Sequence, residues 1–324
     1  MEQGKLNWDD LKRIIDGNKG VERKEVIIKS GVGEDCSAIR VEDEDIILST
    51  DPITGATEGI GKLAVHINCN DIASSGGEPL GIMITILAPE NSTLEDIEKI
   101  MKDVSEEARM LNVEILGGHT EVTNAVNRMV VSCTAVGKAK RGKTVATNGA
   151  KVGDKIIVTK KLCLEGTSIV VNDKEEEMRS ILSEEEILEG KSYNEQLSVV
   201  KEGKIAGEFG VNSMHDITEG GVLGALWEVA EASGTGFHVF KNRMPISSIT
   251  MKLCNHFNID PLRFISSGSM LITCKDGERL IKILKDNNID AQIIGNVTES
   301  RGVLVIGNKE EEVTPPERDE LFKI

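Results

Sequence analysis

Apolar residues recur along this chain with two alternating periods, and the switches between them mark out the elements. Ile46-Ile47-Leu48-Ser49-Thr50 is a short apolar run that predicts a strand ending at Asp51. From about Gly61 to Ser75 the apolar residues Leu63, Ile67 and Ile72 predict a helix; Gly76-Gly77 stops it and Pro79 prevents its continuation. Asn70-Asp71 would lie in its last turns, where the helix dipole disfavours a carboxylate, so Asp71 has another reason to be there. Leu80 to Leu87 is apolar and β-branched, the pattern of a buried strand. Thr93 with Asp96 then caps a helix whose stripe is Leu94, Ile97, Met101, Val104, Ala108 and Leu111. Val113 to Leu116 predicts a strand entering a Gly117-Gly118 turn, and Arg128 to Val136 alternates as another strand. Strand, helix, strand, helix, strand, strand describes one α/β layer with a helical face and a sheet face.

The stretch 137–153 is rich in Lys, Gly, Thr and Ala and poor in large apolar residues, which predicts a domain boundary. The division is 1–145 and 146–324. The second half opens with the strand Lys155 to Thr159. Its acidic segment 172–191 fits a solvated helical surface better than a partner-binding site. A helix from about Gln196 to Gly210 follows, and Met214 to Gly221 leads into the apolar helix Val222 to Ala232. Met270 to Cys274 and Ala291 to Val297 predict strands on either side of a helix from Gly277 to Asn287, and Val303 to Ile306 is a last short strand. The fold class is therefore α/β of the mixed, α+β kind, in two domains.

Length and composition agree: 324 residues exceed one comfortable core, and 39% hydrophobic with 28% charged residues fits a soluble globular protein. With 54 acids against 38 bases the net charge is −16, which argues against nonspecific nucleic-acid binding. No apolar run approaches the roughly 18 residues that span a bilayer, and no apolar segment follows the N-terminus to make a signal. Six scattered cysteines without a CxxC pair predict reduced, mostly buried thiols in a cytoplasmic protein. Cys36, beside Glu34-Asp35, is read as a packing residue.

The candidate chemistry lies at the element ends. Acids at Glu34-Asp35, Asp51 and Asp71, with Glu121 beyond Gly117-Gly118, suit a hard divalent cation such as Mg2+, and glycines beside them let backbone amides approach phosphate oxygens. That combination suggests a nucleotide site, although neither GxxxxGK[ST] nor GxGxxG is present. Taken alone, Gly31-Val32-Gly33 fits a tight turn better than a phosphate loop. Met214-His215-Asp216-Ile217-Thr218-Glu219-Gly220-Gly221 offers amides at a helix start to an anion. Alone, it is better read as a cap in which Asp216 or Thr218 satisfies free amides, with His215 a hydrogen-bonded structural residue.

Together, in this order and spacing, these segments resemble the AIR synthase-related (PurM-like) ATP-binding superfamily over essentially the whole chain. Gly31-Val32-Gly33-Glu34-Asp35-Cys36 resembles its GxGDDxA, Thr50-Asp51 its TD after a strand, and Asn70-Asp71 through Pro79 its ND followed by a proline. Gly117-Gly118-His119-Thr120 is similar to its GG[DE]T, His215 to Gly221 to its HDxTxGG, and Ser267-Gly268 to its late SxG turn. Ile60 to Val65 and Met214-His215-Asp216 bring it nearest to the HypE-like hydrogenase maturation branch, which uses ATP to dehydrate a thiocarboxamide to a thiocyanate.

The resemblance implies a homodimer whose N-terminal mixed sheets form a shared barrel, with Mg-ATP near the interface. It implies metal ligands Asp35, Asp51 and Asp71, and nucleotide contacts from Gly33, Glu34, Asp35, Thr50, Asp51, Lys62, Asn70, Asp71, Gly117, Gly118, Thr120 and Glu121. Lys62 would neutralise phosphate charge, and His215, Asp216 and Glu219 are the acid–base candidates. The activity implied is phosphoryl transfer to an oxygen, amide or thioamide of an unidentified acceptor, in hydrogenase or cofactor maturation alongside a maturation partner protein. Two alternatives stand: a small-molecule kinase resembling thiamine-monophosphate kinase, and a nucleotide-binding partner without turnover. A selenophosphate synthetase is disfavoured because no cysteine precedes Gly31.

Three departures qualify the transfer. The HypE-like branch carries its substrate on a C-terminal cysteine, whereas this chain reads Leu321-Phe322-Lys323-Ile324, which predicts no acceptor in cis. Glu34 stands for the first acid of DD and extends its reach. His119 stands for the acid of GG[DE]T, and a neutral imidazole binds Mg2+ poorly, so Glu121 would take over that position.

Overall fold

The computed structural model describes residues 8–17, 21–29, 31, 33–54, 59–315 and 318–324. Its strands form two sheets that share no member. The first holds β1 (Val26–Ile28), β2 (Ser37–Val41), β3 (Glu44–Ile53), β4 (Glu78–Ala88), β5 (Glu114–Val122) and β6 (Val130–Lys140), in the order β1-β2-β3-β6-β4-β5. The second holds β7 (Lys155–Thr159), β8 (Ser213–Ile217), β9 (Gly236–Phe240), β10 (Ser269–Cys274), β11 (Ala291–Thr298), β12 (Gly302–Ile306) and β13 (Lys309–Glu312), in the order β13-β12-β9-β11-β7-β10-β8. Pairing is antiparallel except for β4 with β5 and β9 with β12. This is the mixed α/β architecture expected.

The helix Ile60–Ser74 lies at the centre of the molecule. It is buried on nearly every side, because it packs on β3 and β6 on one flank and on the helix Val200–Phe209 and β8 on the other. Gly203 allows the close helix approach: a Cβ there would stand 2.2 Å from the Ala73 carbonyl oxygen. Gly76 in the left-handed region ends the helix, as its sequence predicts. The helix Leu94–Met110 begins with a capping box, in which the Asp96 amide donates to Thr93 Oγ1 at 3.2 Å and the Thr93 amide to Asp96 Oδ2 at 2.8 Å.

Two local expectations are corrected. The strand expected to end before a Gly117-Gly118 turn runs straight through both glycines as β5. They adopt φ of +147° and +155°, and a Cβ on Gly118 would fall 1.8 Å from the Ile84 carbonyl oxygen, so only glycine lets β5 lie against β4 there. The second concerns the helix Gly221–Ser233, which neither Asp216 nor Thr218 caps through its side chain. His215 and Asp216 belong instead to the wholly buried strand β8. The Gly220 amide donates to Asp319 Oδ2 at 2.7 Å, so the capping acid comes from the far end of the sequence.

Candidate active site

Asp71 is the centre of the acidic cluster. It projects from the last turns of the helix Ile60–Ser74 and is buried; the Ser49 hydroxyl of β3 donates to its Oδ2. Burial drives its carboxyl well above the ordinary range, and the nearby charges of Asp216, Asp51 and Asp35 push it further. Ser74 Oγ ties the cluster together: its one hydroxyl proton lies between Asp35 Oδ2 at 2.9 Å and the Asp71 carbonyl at 2.7 Å. Cys36 is buried with its thiol 3.0 Å from that same carbonyl.

His215 joins this cluster to the second sheet. Its Nδ1 lies 2.7 Å from Asp35 Oδ1, and its Nε2 lies 2.6 Å from Glu228 Oε2 on the helix Gly221–Ser233. Burial opposes a charge on the ring, but Asp35 and then Glu228 outweigh it and raise its pKa well above the ordinary histidine value. A protonated imidazole has no lone pair for a metal. Asp35, His215 and Asp216 offer atoms within 4.8 Å of one another, and of these the two carboxylates are the usable ligands. Carboxylates crowded around Asp71, whose pKa they raise, are a donor set suited to Mg2+, whose charge relieves the repulsion.

The other candidate residues are distributed more widely. Asp51 stands in the exposed end region of β3, its amide donating to Asn68 Oδ1 at 2.9 Å. Thr50 Oγ1 is 3.1 Å from the Cys133 carbonyl and 2.9 Å from Thr134 Oγ1 on β6. Gly33, at φ +83°, lets its loop pass Glu228, whose carbonyl oxygen would lie 3.4 Å from an added Cβ. Glu34 turns toward the Thr147 amide, 3.2 Å from its Oε2; burial raises its pKa. Lys62 lies 3.0 Å from Glu107, which also meets His66 Nε2 at 2.8 Å. Asn70 clasps the second half: its Nδ2 donates to the Leu197 carbonyl and its Oδ1 accepts from the Val199 amide, both at 2.8 Å.

Gly117, Gly118, Thr120 and Glu121 lie on β5, exposed at the edge of the first sheet, where His119 Nε2 meets Glu121 Oε2 at 3.1 Å. Within one chain they do not reach the acidic cluster. Asp51 pairs with Cys133, Cys133 with Ile84 and Ile84 with Gly118, so β6 and β4 stand between.

A cleft of ≈ 570 Å³ opens beside Asp51. Ile53, Leu63, Glu165, Glu219, Asp319 and Phe322 are among its walls. Glu219 therefore shares the cleft with Asp51. Glu165, Glu228 and Asp319 escape the sequence reading. Glu228 carried a readable signal, an acid inside the apolar run Val222 to Ala232; Asp319 carried none for its place in the cleft, since besides the local Leu321 amide its partners are the Gly220 and Ile265 amides, distant in sequence.

The model of the AIR synthase related protein N-terminal domain matches residues 33–139, and that of the C-terminal domain matches 151–307. The chain belongs to the AIR synthase-related protein family. A protein of Methanocaldococcus jannaschii assigned to hydrogenase expression or formation is 30% identical over 93% of this chain and 91% of its own. Carbamoyl dehydratase HypE of Bradyrhizobium diazoefficiens is 28% identical over 74% of this chain and 69% of its own. Thiamine-monophosphate kinase of Pyrococcus horikoshii is 27% identical over 85% of each. In fold, the chain resembles HypE solved in complex with ATP, with a TM-score of 0.73 at 20% identity over 85% of this chain and 86% of that one. HypE in its complex with HypF gives a TM-score of 0.74 at 24% identity, over 86% and 93%. Among the described residues no helix is long and apolar enough to cross a membrane.

Proposed function

We propose that this protein is a Mg-ATP-dependent enzyme of the HypE-like kind, activating an oxygen, amide or thioamide by phosphoryl transfer during hydrogenase or cofactor maturation. The observation that carries the reading is the mutual crowding of Asp71, Asp35, Asp51 and Asp216, which a divalent cation would relieve. Bound Mg-ATP would supply an electrophilic γ-phosphoryl group and an anionic leaving group. The chain's own part is positioning: Asp35, Asp51, Asp71 and Asp216 hold the cation, and the His215 charge, fixed by Asp35 and Glu228, keeps Asp35 oriented. Gly33 and Glu34 in the loop before β2, Thr50 on β3 and Asn70 in the helix Ile60–Ser74 surround that centre, while Glu219 and Asp216 flank the acceptor side.

The chain is organised as domains 1–145 and 146–324 and acts as a homodimer. β5 supports this: it is an unpaired edge with Leu116 and Val122 exposed beside Met83 of β4. Joining two such edges into a shared barrel would carry Gly117, Gly118, Thr120 and Glu121 to the partner's nucleotide. Lys62 would reach phosphate on leaving Glu107. A maturation partner is supported by the HypE–HypF likeness, and six buried thiols suit a reducing cytoplasm.

A second reading, a small-molecule kinase, rests on the likeness to thiamine-monophosphate kinase. The acid surplus of the cleft weighs against it, because a phosphomonoester acceptor would meet Glu165, Glu219 and Asp319. Calorimetric titration with ATP, with and without Mg2+, tests the main reading. Metal-dependent binding by the wild type that disappears in Asp51→Asn supports it; no binding to the wild type removes it.

A further inference from the structure

Glu165 is the buried acid of the cleft that metal and nucleotide leave unused. It sits in the first turn of the helix Leu164–Asp173, which packs against the helix Glu184–Ser192 and is held at its start by the Ser266 hydroxyl, 2.7 Å from the Cys163 amide. Gly166 beside it lies so close to the Phe264 ring that a Cβ would meet it at 2.5 Å, and this fixes the first turn in place. Glu165 is only 3% exposed, and its Oε2 has no hydrogen-bond partner among the described residues. Burial lifts its carboxyl to about 7; hydrogen bonding from Ser267 to the carboxyl eases the shift, while Glu219 and Asp319 add to it.

A buried acceptor oxygen left without a hydrogen-bond partner is costly, and natural folds seldom retain one without use. This one lines the same cleft as Asp51, whose charge acts on the Asp71 cluster. The charged lining is one-sided: Asp51, Glu165, Asp173, Glu219 and Asp319 stand against Arg128 and Lys174. Ile169, Val170, Ile265 and Phe322 supply apolar surface between them. Walls of this kind repel a second anion and favour an uncharged group that donates hydrogen bonds.

We propose that Glu165 is the specificity-determining residue for the acceptor, its Oε2 receiving an N–H of the acceptor while the acids around it exclude phosphomonoesters. The inference rests on the ATP-dependent reading for its biological setting, but acceptor binding itself needs no nucleotide. The test titrates two probes, N-acetyl-S-carbamoylcysteine and thiamine monophosphate, into the full-length wild type, Glu165→Ala and Glu165→Gln without nucleotide, with ATP affinity measured separately. The carbamoyl probe is expected to bind the wild type in preference to thiamine monophosphate. Glu165→Ala should weaken it about tenfold or more, and Glu165→Gln, which keeps an acceptor oxygen, should recover most of that loss. ATP affinity should stay constant, and neither variant should melt below the wild type. Preference for thiamine monophosphate, no binding of the carbamoyl probe, equal binding by all three proteins, or a lower melting temperature in Glu165→Gln would each overturn the assignment. Loss of ATP binding by the wild type, with Glu165-dependent probe binding retained, would sink the nucleotide reading and leave this one standing.

Discussion

His215 Nδ1 stands 2.8 Å from Asp35 Oδ2, joining β8 of the second sheet to the loop that precedes β2 of the first. With Glu228 on the other ring nitrogen, the imidazolium is held between two carboxylates inside the molecule. Removing it leaves both acids buried without their shared cation. His215→Gln is expected to cost about 3–5 kcal/mol in chemical denaturation. The pH dependence follows from the same pairing. Because the folded pKa is raised, the stabilisation is complete below the ordinary histidine value and fades as pH rises through the folded one. The wild type should lose this increment toward alkaline pH, and the variant should lack it.

Asp71 has the opposite character, a carboxyl that the folded protein would keep protonated in the absence of a cation. Asp71→Asn removes the repulsion and retains an oxygen for the Ser49 hydroxyl. The metal-free variant should gain ~1 kcal/mol, or roughly 2–4 °C in Tm. Mg2+ should raise the melting temperature of the wild type and leave that of the variant unmoved. A variant that melts lower than the wild type without metal would contradict this account of the cluster.

Glu165 gives a second, independent pH signature. Its folded pKa of about 7 lies above the ordinary value of 4.5, so its neutral form is the one the fold favours. Its contribution is fully present below the ordinary value and is lost as pH rises through about 7, a span of about 3 kcal/mol at most. Asp319, itself raised to about 6, titrates alongside it, and the charge of Glu219 acts on both. The informative quantity is therefore the difference between wild type and Glu165→Gln in thermal melts from acid to mildly alkaline pH. That difference should grow in favour of the variant as pH rises.

Gly118 tests the edge of the first sheet. A methyl group placed 1.8 Å from the Ile84 carbonyl, at φ +155°, forces β5 away from β4. Gly118→Ala should cost more than about 2 kcal/mol. Sedimentation should also report a weaker dimer, since the displaced strand is the proposed seam. An unchanged dimer with lowered stability would move the seam elsewhere.

The local features of this fold were legible because their causes are local. Thr93 and Asp96 lie within one turn, Gly76 and Pro79 directly follow the helix they end, and the buried strands are continuous apolar runs. The path of β5 was not legible, since paired glycines signal a turn unless one knows that Ile84 lies across from them. The cap at Gly220 was misread for a similar reason: Asp216 and Thr218 were near in sequence, while Asp319 is near only in space. In the site, acids next to glycines drew attention to Asp35, Asp51 and Asp71. Glu165 stayed hidden among its neighbours, and Glu228 stood out only as an acid interrupting an apolar run, with nothing in the sequence to say what it meets. What distinguishes them is a partner, or the want of one, and that is decided by packing.

All six cysteines are buried, and burial raises the pKa of Cys36, Cys69, Cys133, Cys163, Cys254 and Cys274 alike. A thiol in that condition is a poor nucleophile. In the folded state these six sulfurs are therefore poorly placed to shoulder a cargo or to hand one on by sulfur exchange.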